Sequence, residues 1–503
     1  MKKQFLNILI LLMIVASCSD NKRTSEGDEN HSKIPHSGPI QLHPENPHYF
    51  LYKGKPLVLI TSAEHYGALI NLDFDYKKYL ESLAADGMNY TRIFTGTYFE
   101  IPGESFSIKY NTLAPEKNRV ITPWSIIIED LSGNFKYDLS TWNNTYFERL
   151  KDLMSIAADN NIIVEVTLFS SIYRNEHWDI SPQNPENNIN IKHEINRFDA
   201  QTLNNGTLIQ YQEKFVRKMV QELNEYDNFF FEIQNEPWSD HPVAAINIEN
   251  KEDLPGKDWR FNAHFAEESA MDWQRKITSF IVDEEKDLEK THLIAQNYSN
   301  YKVPIPEVEE NISIINFHYN WPESVVWNYS YNKVIGFDES GFAGSADIVY
   351  RRQAWRFILS GGALFNNLDY SFFNGYEDGT LENEAPGGGS AELRKQLKIL
   401  SDFIHGFDVV KLKPDYSTVV QADGVIPYVL SNPGHEYALF LQAVLVDKAE
   451  LVMQTTNGNY HIKHHNTQNS QVIMEETVEV VDNTLTLTVD FIDGELALEI
   501  KRK

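Results

Sequence analysis

Short apolar runs alternate with longer amphipathic stretches through most of this chain, from Pro44 to Phe407. "PLVLITS" (Pro56–Ser62), "NYTRIF" (Asn89–Phe94), "IIVEVTLFSS" (Ile162–Ser171) and "FFFEIQN" (Phe229–Asn235) read as buried strands. So do His292–Tyr298, Ile312–Asn320, Lys333–Gly341 and Ala363–Ser371. Helical periodicity fills Phe74–Gly87, Tyr146–Asn161, Leu208–Leu223, Phe265–Leu288, Ala346–Gly362 and Ala391–His405. A long insertion separates the second strand from the next helix, up to about Leu139. Strands with no polar face must be covered on both sides, which means a parallel sheet with helices packed over it. Eight strand-then-helix units predict an α/β fold, a (β/α)8 TIM barrel over residues 41–412. A doubly wound open sheet is the alternative, but no glycine-rich phosphate turn follows the first strand. From Lys413 the period drops to two, in runs such as "EYALFLQAV" and "TLTLTVDFI", and predicts a small C-terminal all-β sandwich domain over 413–503.

The first eighteen residues follow a different pattern. Lys2 and Lys3 precede an apolar run, Phe5–Val15, too short to span a bilayer, as in a secretory signal peptide. Val15-Ala16-Ser17-Cys18 resembles a bacterial lipobox, which implies lipid attachment at Cys18 and a place in the cell envelope, anchored to the outer membrane. Cys18 is the single cysteine, so no disulfide forms within the chain. Residues 19–40 are polar and read as a flexible tether.

Charge narrows the partners. With 72 acidic against 44 basic side chains, the net charge of −28 argues against nucleic acid. It also disfavours a strongly anionic polysaccharide as substrate. A monomer is expected.

Catalytic residues of such barrels come from the C-terminal ends of strands. Those ends supply His65, Arg92, Asn235, Glu236, His318, Tyr319 and Glu339, with Glu236 closing strand four and Glu339 strand seven. Two carboxylates facing each other across a barrel mouth suit glycosidic bond cleavage, one as nucleophile and one as proton donor. Trp124, Trp178, Trp238 and Trp321 fall in expected loops at the same end and are candidate stacking platforms for sugar rings.

"QNEPW" after one strand and "GFDESG" after a later one resemble the clan A retaining glycoside hydrolases, the group that contains the family 5 cellulases and mannanases. The resemblance implies Glu236 as acid/base, Glu339 as nucleophile and Asn235 on the sugar 2-hydroxyl. It implies that Arg92 holds Glu339 ionised and that Tyr319 hydrogen-bonds Glu339. It implies a carbohydrate substrate cleaved without metal or organic cofactor, with endo action expected and exo action or glycan binding without catalysis as alternatives. His65, His318, Trp238, Trp178 and Trp321 complete the expected substrate contacts. The chain departs from family 5 in three places: no histidine ends strand three, His318 and Tyr319 are adjacent, and no tryptophan ends strand eight.

Overall fold

The computed structural model describes residues 38–103, 105–128, 135–247 and 259–503, and His36–Lys503 forms one compact unit. The signal segment, Cys18 and nearly all of the tether lie outside the described residues. No described helix is long and apolar enough to cross a membrane.

Eight parallel strands form the barrel: β1 (Leu59–Ala63), β2 (Tyr90–Phe94), β3 (Ile163–Ser170), β4 (Phe229–Asn235), β5 (Ile294–Asn300), β6 (Ile314–His318), β7 (Val334–Ser340) and β8 (Leu364–Leu368). Their order is β1-β8-β7-β6-β5-β4-β3-β2, which leaves β1 beside β2 at the seam. The Asn89 side chain bridges that seam. It donates to Val58 O at 2.8 Å and accepts from the Ile60 N–H at 2.8 Å. Every residue of the eight strands is buried, as their unbroken apolar character requires.

Seven helices cover the sheet: α1 (Tyr76–Ala85), α2 (Asn144–Asp159), α3 (Leu208–Leu223), α4 (Glu268–Glu285), α5 (Pro322–Asn328), α6 (Asp347–Ile358) and α7 (Ala391–His405). The fifth of the eight expected units is incomplete, because no helix lies among the residues joining β5 to β6. Two further departures carry residues toward the barrel mouth. The insertion after β2 contains a hairpin, Trp124–Ile128 against Phe135–Trp142. The helix expected from Phe265 starts at Glu268 instead, because Phe265 and Ala266 pair with Val243 and Pro242 in a second hairpin.

The C-terminal domain has the expected two antiparallel sheets, of six and three strands. Alternation along the strand Glu436–Ala443 splits its side chains between two cores. Leu439 and Leu441 face the domain interior, while Ala438 and Phe440 join the barrel core. Trp355 of α6 stacks on Phe440, and Arg351 clamps the buried Glu495 with bonds of 3.0 and 2.9 Å. This shared apolar surface makes the domain a structural wall of the barrel, and α6 leads directly back to β7.

Candidate active site

Four charged side chains interrupt the apolar strands: Arg92 in β2, Glu165 in β3, Glu232 in β4 and Asp338 in β7, all fully buried. Unpaired, each would be costly to hold away from water. Arg92 resolves most of this. Its Nε donates to Glu232 at 2.9 Å, a second guanidinium nitrogen also reaches Glu232, and Nη2 donates to Asn235 at 2.8 Å. Nη1 reaches up to Glu339 at 3.4 Å, and Asp338 lies 3.6 Å away. Arg92 therefore ties the barrel interior to its mouth.

The mouth is strained. Tyr66, Tyr173, Glu236, Tyr301, Tyr319 and Phe342 follow six different strands and all have φ between 48° and 60°. Side chains larger than asparagine adopt this left-handed region rarely, and such residues gather at functional sites. The turn at Glu236 is held by its N–H on Asn297 at 3.2 Å and by Ser171 Oγ on its carbonyl at 2.7 Å. Similarly, the Tyr319 N–H bonds the Glu339 carbonyl at 2.9 Å.

Glu236 and Glu339 bring one carboxylate oxygen each within 4.8 Å of the other, with His318 between and behind them. His318 Nδ1 is 3.0 Å from Glu236 Oε1 and 3.6 Å from Glu339 Oε1. The other Glu236 oxygen accepts from the Tyr173 hydroxyl at 3.0 Å and from Ser239 at 3.1 Å. Glu339 accepts from the Tyr319 hydroxyl at 2.8 Å. Asn235 Nδ2 donates to Tyr173 at 2.7 Å, so Tyr173 links the two motif residues.

This network sets the charges. Burial disfavours the His318 imidazolium, but the carboxylates of Glu339, Asp338 and Glu236 outweigh it and raise its pKa to about 10. Burial alone would raise Glu236. The hydrogen bond and charge of His318, with Tyr173 and Ser239, hold it below the usual carboxylate range instead. Glu339 is raised, first by burial and then by the charge of Glu236, against the pull of His318, Arg92 and Tyr319. These shifts favour an imidazolium at His318 beside an ionised Glu236.

The imidazolium proton has a measurable consequence for stability. The folded chain keeps it up to pH about 10, whereas an ordinary histidine releases it near 6.5. The stabilisation is full below pH 6.5 and is lost as pH rises through about 10. Denaturant unfolding across this window should show wild-type stability falling more steeply than that of His318→Gln; parallel curves would refute it.

Two carboxylate clusters have the spacing of metal ligands, Glu236–His318–Glu339 and Glu165–Glu232–Asp338. Arg92 already occupies Glu232 in the second.

Among solved structures, the chain resembles a family 5 glycoside hydrolase from Bacteroides vulgatus over 93% of each chain, with a TM-score of 0.59 and 9% identity. A second protein from the same organism, described as a candidate glycoside hydrolase, matches 95% of this chain and 84% of its own, with a TM-score of 0.60 and 13% identity. A third glycoside hydrolase matches over 93% and 97% of the two chains, with a TM-score of 0.55 and 11% identity. This chain shares their fold. No protein-family model and no curated protein matches its sequence.

Against that fold, the expected substrate contacts divide. His65, Asn235, Glu236, Tyr319 and Glu339 line one pocket at the mouth. Trp238 lines an adjoining cleft, with its ring edge-on to His318 at 5.4 Å. Trp321, 47% exposed, lines a third hollow of about 220 Å³ beyond Tyr319. Four expectations need correction. Arg92 and His318 are completely buried behind the glutamates and act on them rather than on sugar. Trp178 lies in a short helix with its indole N–H bonded to Ile195 O, and Trp124 packs against Phe215. Both are core residues.

Tyr173, Glu100, Phe106 and Trp259 reach the mouth without having been foreseen. Their loops gave no periodic signal. Tyr173 is placed by Asp240, which accepts from the N–H groups of Ile172 and Tyr173 at 2.5 and 3.1 Å.

Proposed function

We propose that the chain is a retaining glycoside hydrolase that cleaves β-linked poly- or oligosaccharides by double displacement. One observation carries the reading: carboxylate oxygens of Glu236 and Glu339 lie within 4.8 Å across the barrel mouth. Retaining enzymes hold their carboxyl groups about 5–5.5 Å apart, whereas inverting ones leave about 6.5–9.5 Å for a water. The fold shared with solved glycoside hydrolases supports the reading.

Glu339 attacks the anomeric carbon. The bond to the leaving oxygen breaks with its electron pair, and that oxygen takes a proton from Glu236. His318 holds the Glu236 pKa below the usual carboxylate range, so the proton is supplied by the His318 imidazolium 3.0 Å away. Its transfer makes Glu236 an acid and removes a negative charge from beside Glu339, which keeps its contacts to Arg92 and Tyr319. In the second step Glu236 takes a proton from water, the hydroxide displaces Glu339 from the sugar, and His318 regains its proton. Asn235, held by Arg92 and Tyr173, is placed to bond the 2-hydroxyl. Cys18 would tether the enzyme to the envelope, where it meets extracellular glycans.

The test is product release from a panel of β-glucans, mannans, xylans and galactans, followed by proton NMR of the first-formed anomer. Wild type should release β-configured product from at least one polymer, and Glu339→Gln and Glu236→Gln should lose most of that activity. Binding without cleavage, equal in wild type and variants, would identify a glycan-binding protein instead.

A further inference from the structure

Glu236 and Glu339 share an inner pocket, but of the two only Glu236 also lines the larger outer cleft that adjoins it. If these residues act as proposed, the nucleophile marks where the transferred sugar sits. The acid marks the side from which the rest of the chain leaves. The inner pocket therefore takes the glycone and the outer cleft the departing saccharide.

The glycone pocket is walled by the loop after β2, through Tyr98, Glu100 and Leu113, while Phe106 of the same loop lines both this pocket and the outer cleft. This wall is fastened at several points. The Glu100 N–H donates to Leu113 O at 2.9 Å. Buried Glu64, next to β1, accepts from the Thr112 hydroxyl and from the N–H groups of Gly67 and Ala68, each of the latter at 3.0 Å. Gly67 is needed there, because a Cβ would lie 2.1 Å from Thr112 O. Phe106 packs edge-on against Tyr173 at 5.2 Å and lies under the Arg174 guanidinium at 5.2 Å. A saccharide extended past the first glycone unit would meet this wall.

We infer that the enzyme is exo-acting, removing one unsubstituted, uncharged sugar from a non-reducing end, and that Glu100 recognises the hydroxyls of that terminal sugar. The inference rests on the two-glutamate reading. Glu100 is 3% exposed and lines the pocket. It is oriented by the Tyr98 hydroxyl at 3.0 Å and by Asn111 Nδ2 at 2.5 Å. His65 Nε2 lies 3.9 Å from Glu100 and both residues line the pocket, so the two hydroxyls of a diol there fall within reach of both side chains. Burial already pushes the Glu100 carboxyl up to about 7 and raises Glu339, so a terminal uronate would add a third carboxylate to a site that disfavours further negative charge. The outer cleft, in contrast, is lined by Trp238 and by Trp259, which is 43% exposed and suits stacking of further sugar units.

The experiment follows first products from reducing-end-labelled β-linked tetrasaccharides of glucose, mannose and galactose. Each is compared with a form whose non-reducing end is capped as the 4,6-O-ethylidene acetal. Wild type should give labelled trisaccharide first and leave capped substrates intact. Glu100→Gln should lower kcat/KM by about ten- to hundredfold, the cost of one charge-assisted hydrogen bond, without changing which bond is cut. Leu113→Ala, which thins the part of the wall that lines the inner pocket but not the outer cleft, should begin to cleave the capped forms. Internal cleavage or turnover of capped substrates by wild type would overturn exo action and leave the two-glutamate mechanism standing. A change below twofold in Glu100→Gln would remove that residue from the recognition of the terminal sugar. No cleavage of any tetrasaccharide, together with no labelling of Glu339 by 2,4-dinitrophenyl 2-deoxy-2-fluoroglycosides, would overturn both readings.

Discussion

Replacing Glu339 by alanine should lower kcat by on the order of 10⁵- to 10⁶-fold, the scale of losing a covalent nucleophile. Azide added to that variant can occupy the vacated space and attack the anomeric carbon directly. The product should be the inverted α-glycosyl azide. Glu236→Ala should behave differently. Its loss should be about 10²- to 10⁴-fold on substrates that need protonation, since general acid catalysis contributes that much. It should be far smaller on 2,4-dinitrophenyl glycosides, whose leaving group needs no proton. Azide should then yield the retained β-glycosyl azide, by attacking the intermediate held on Glu339. The pair of experiments matters because the surroundings of the two carboxyls hold Glu236 low and Glu339 high. Read without His318, those directions would exchange the two roles. If the azide products are swapped between variants, Glu236 is the nucleophile and the proton path through His318 is wrong.

The second large effect concerns Arg92. Arg92→Met keeps much of the side chain's bulk but leaves Glu232 buried without its cation, while Asp338 keeps His318 at 3.5 Å, and breaking a buried ion pair costs about 3–5 kcal/mol. Part of that cost is avoided where Glu232 can take up a proton, and its folded pKa is already raised, by burial, despite Arg92. A carboxyl whose folded pKa lies above its unfolded value favours the folded state less as pH rises. The deficit of Arg92→Met should therefore be smallest in acid and grow above the ordinary carboxylate range. Glu232→Gln in the same chain should recover much of the loss at neutral pH. Chemical denaturation of the single and double variants closes this cycle; a single variant within about 1 kcal/mol of wild type at all pH values would show that Arg92 is not the keystone of the interior.

Much of the site was legible because charged residues in buried strands are conspicuous. Glu236 stands at the end of "FFFEIQNE", and Arg92 and Glu339 interrupt runs that are otherwise apolar. Glu165 and Glu232 carried the same signal inside "IIVEVTL" and "FFFEIQN", and weighing interior acids as well as strand ends would have found them. The loop residues could not be found this way. Nothing local distinguishes Trp178, which is core, from Trp259, which is exposed at the mouth, because exposure depends on what distant segments cover.

The sequence by itself determined the barrel, its eight strands and the β-domain, since periodicity follows from which faces must leave water. It also determined that two glutamates close the fourth and seventh strands. Only the tertiary structure decided what those glutamates meet. Segments far apart in the chain bring His318 between them and Tyr173 onto one of them, and the wall carrying Glu100 closes over the other. Proton location, pocket depth and the direction in which a saccharide can extend depend on distances of a few ångströms between those segments, and no local pattern of residues encodes such distances.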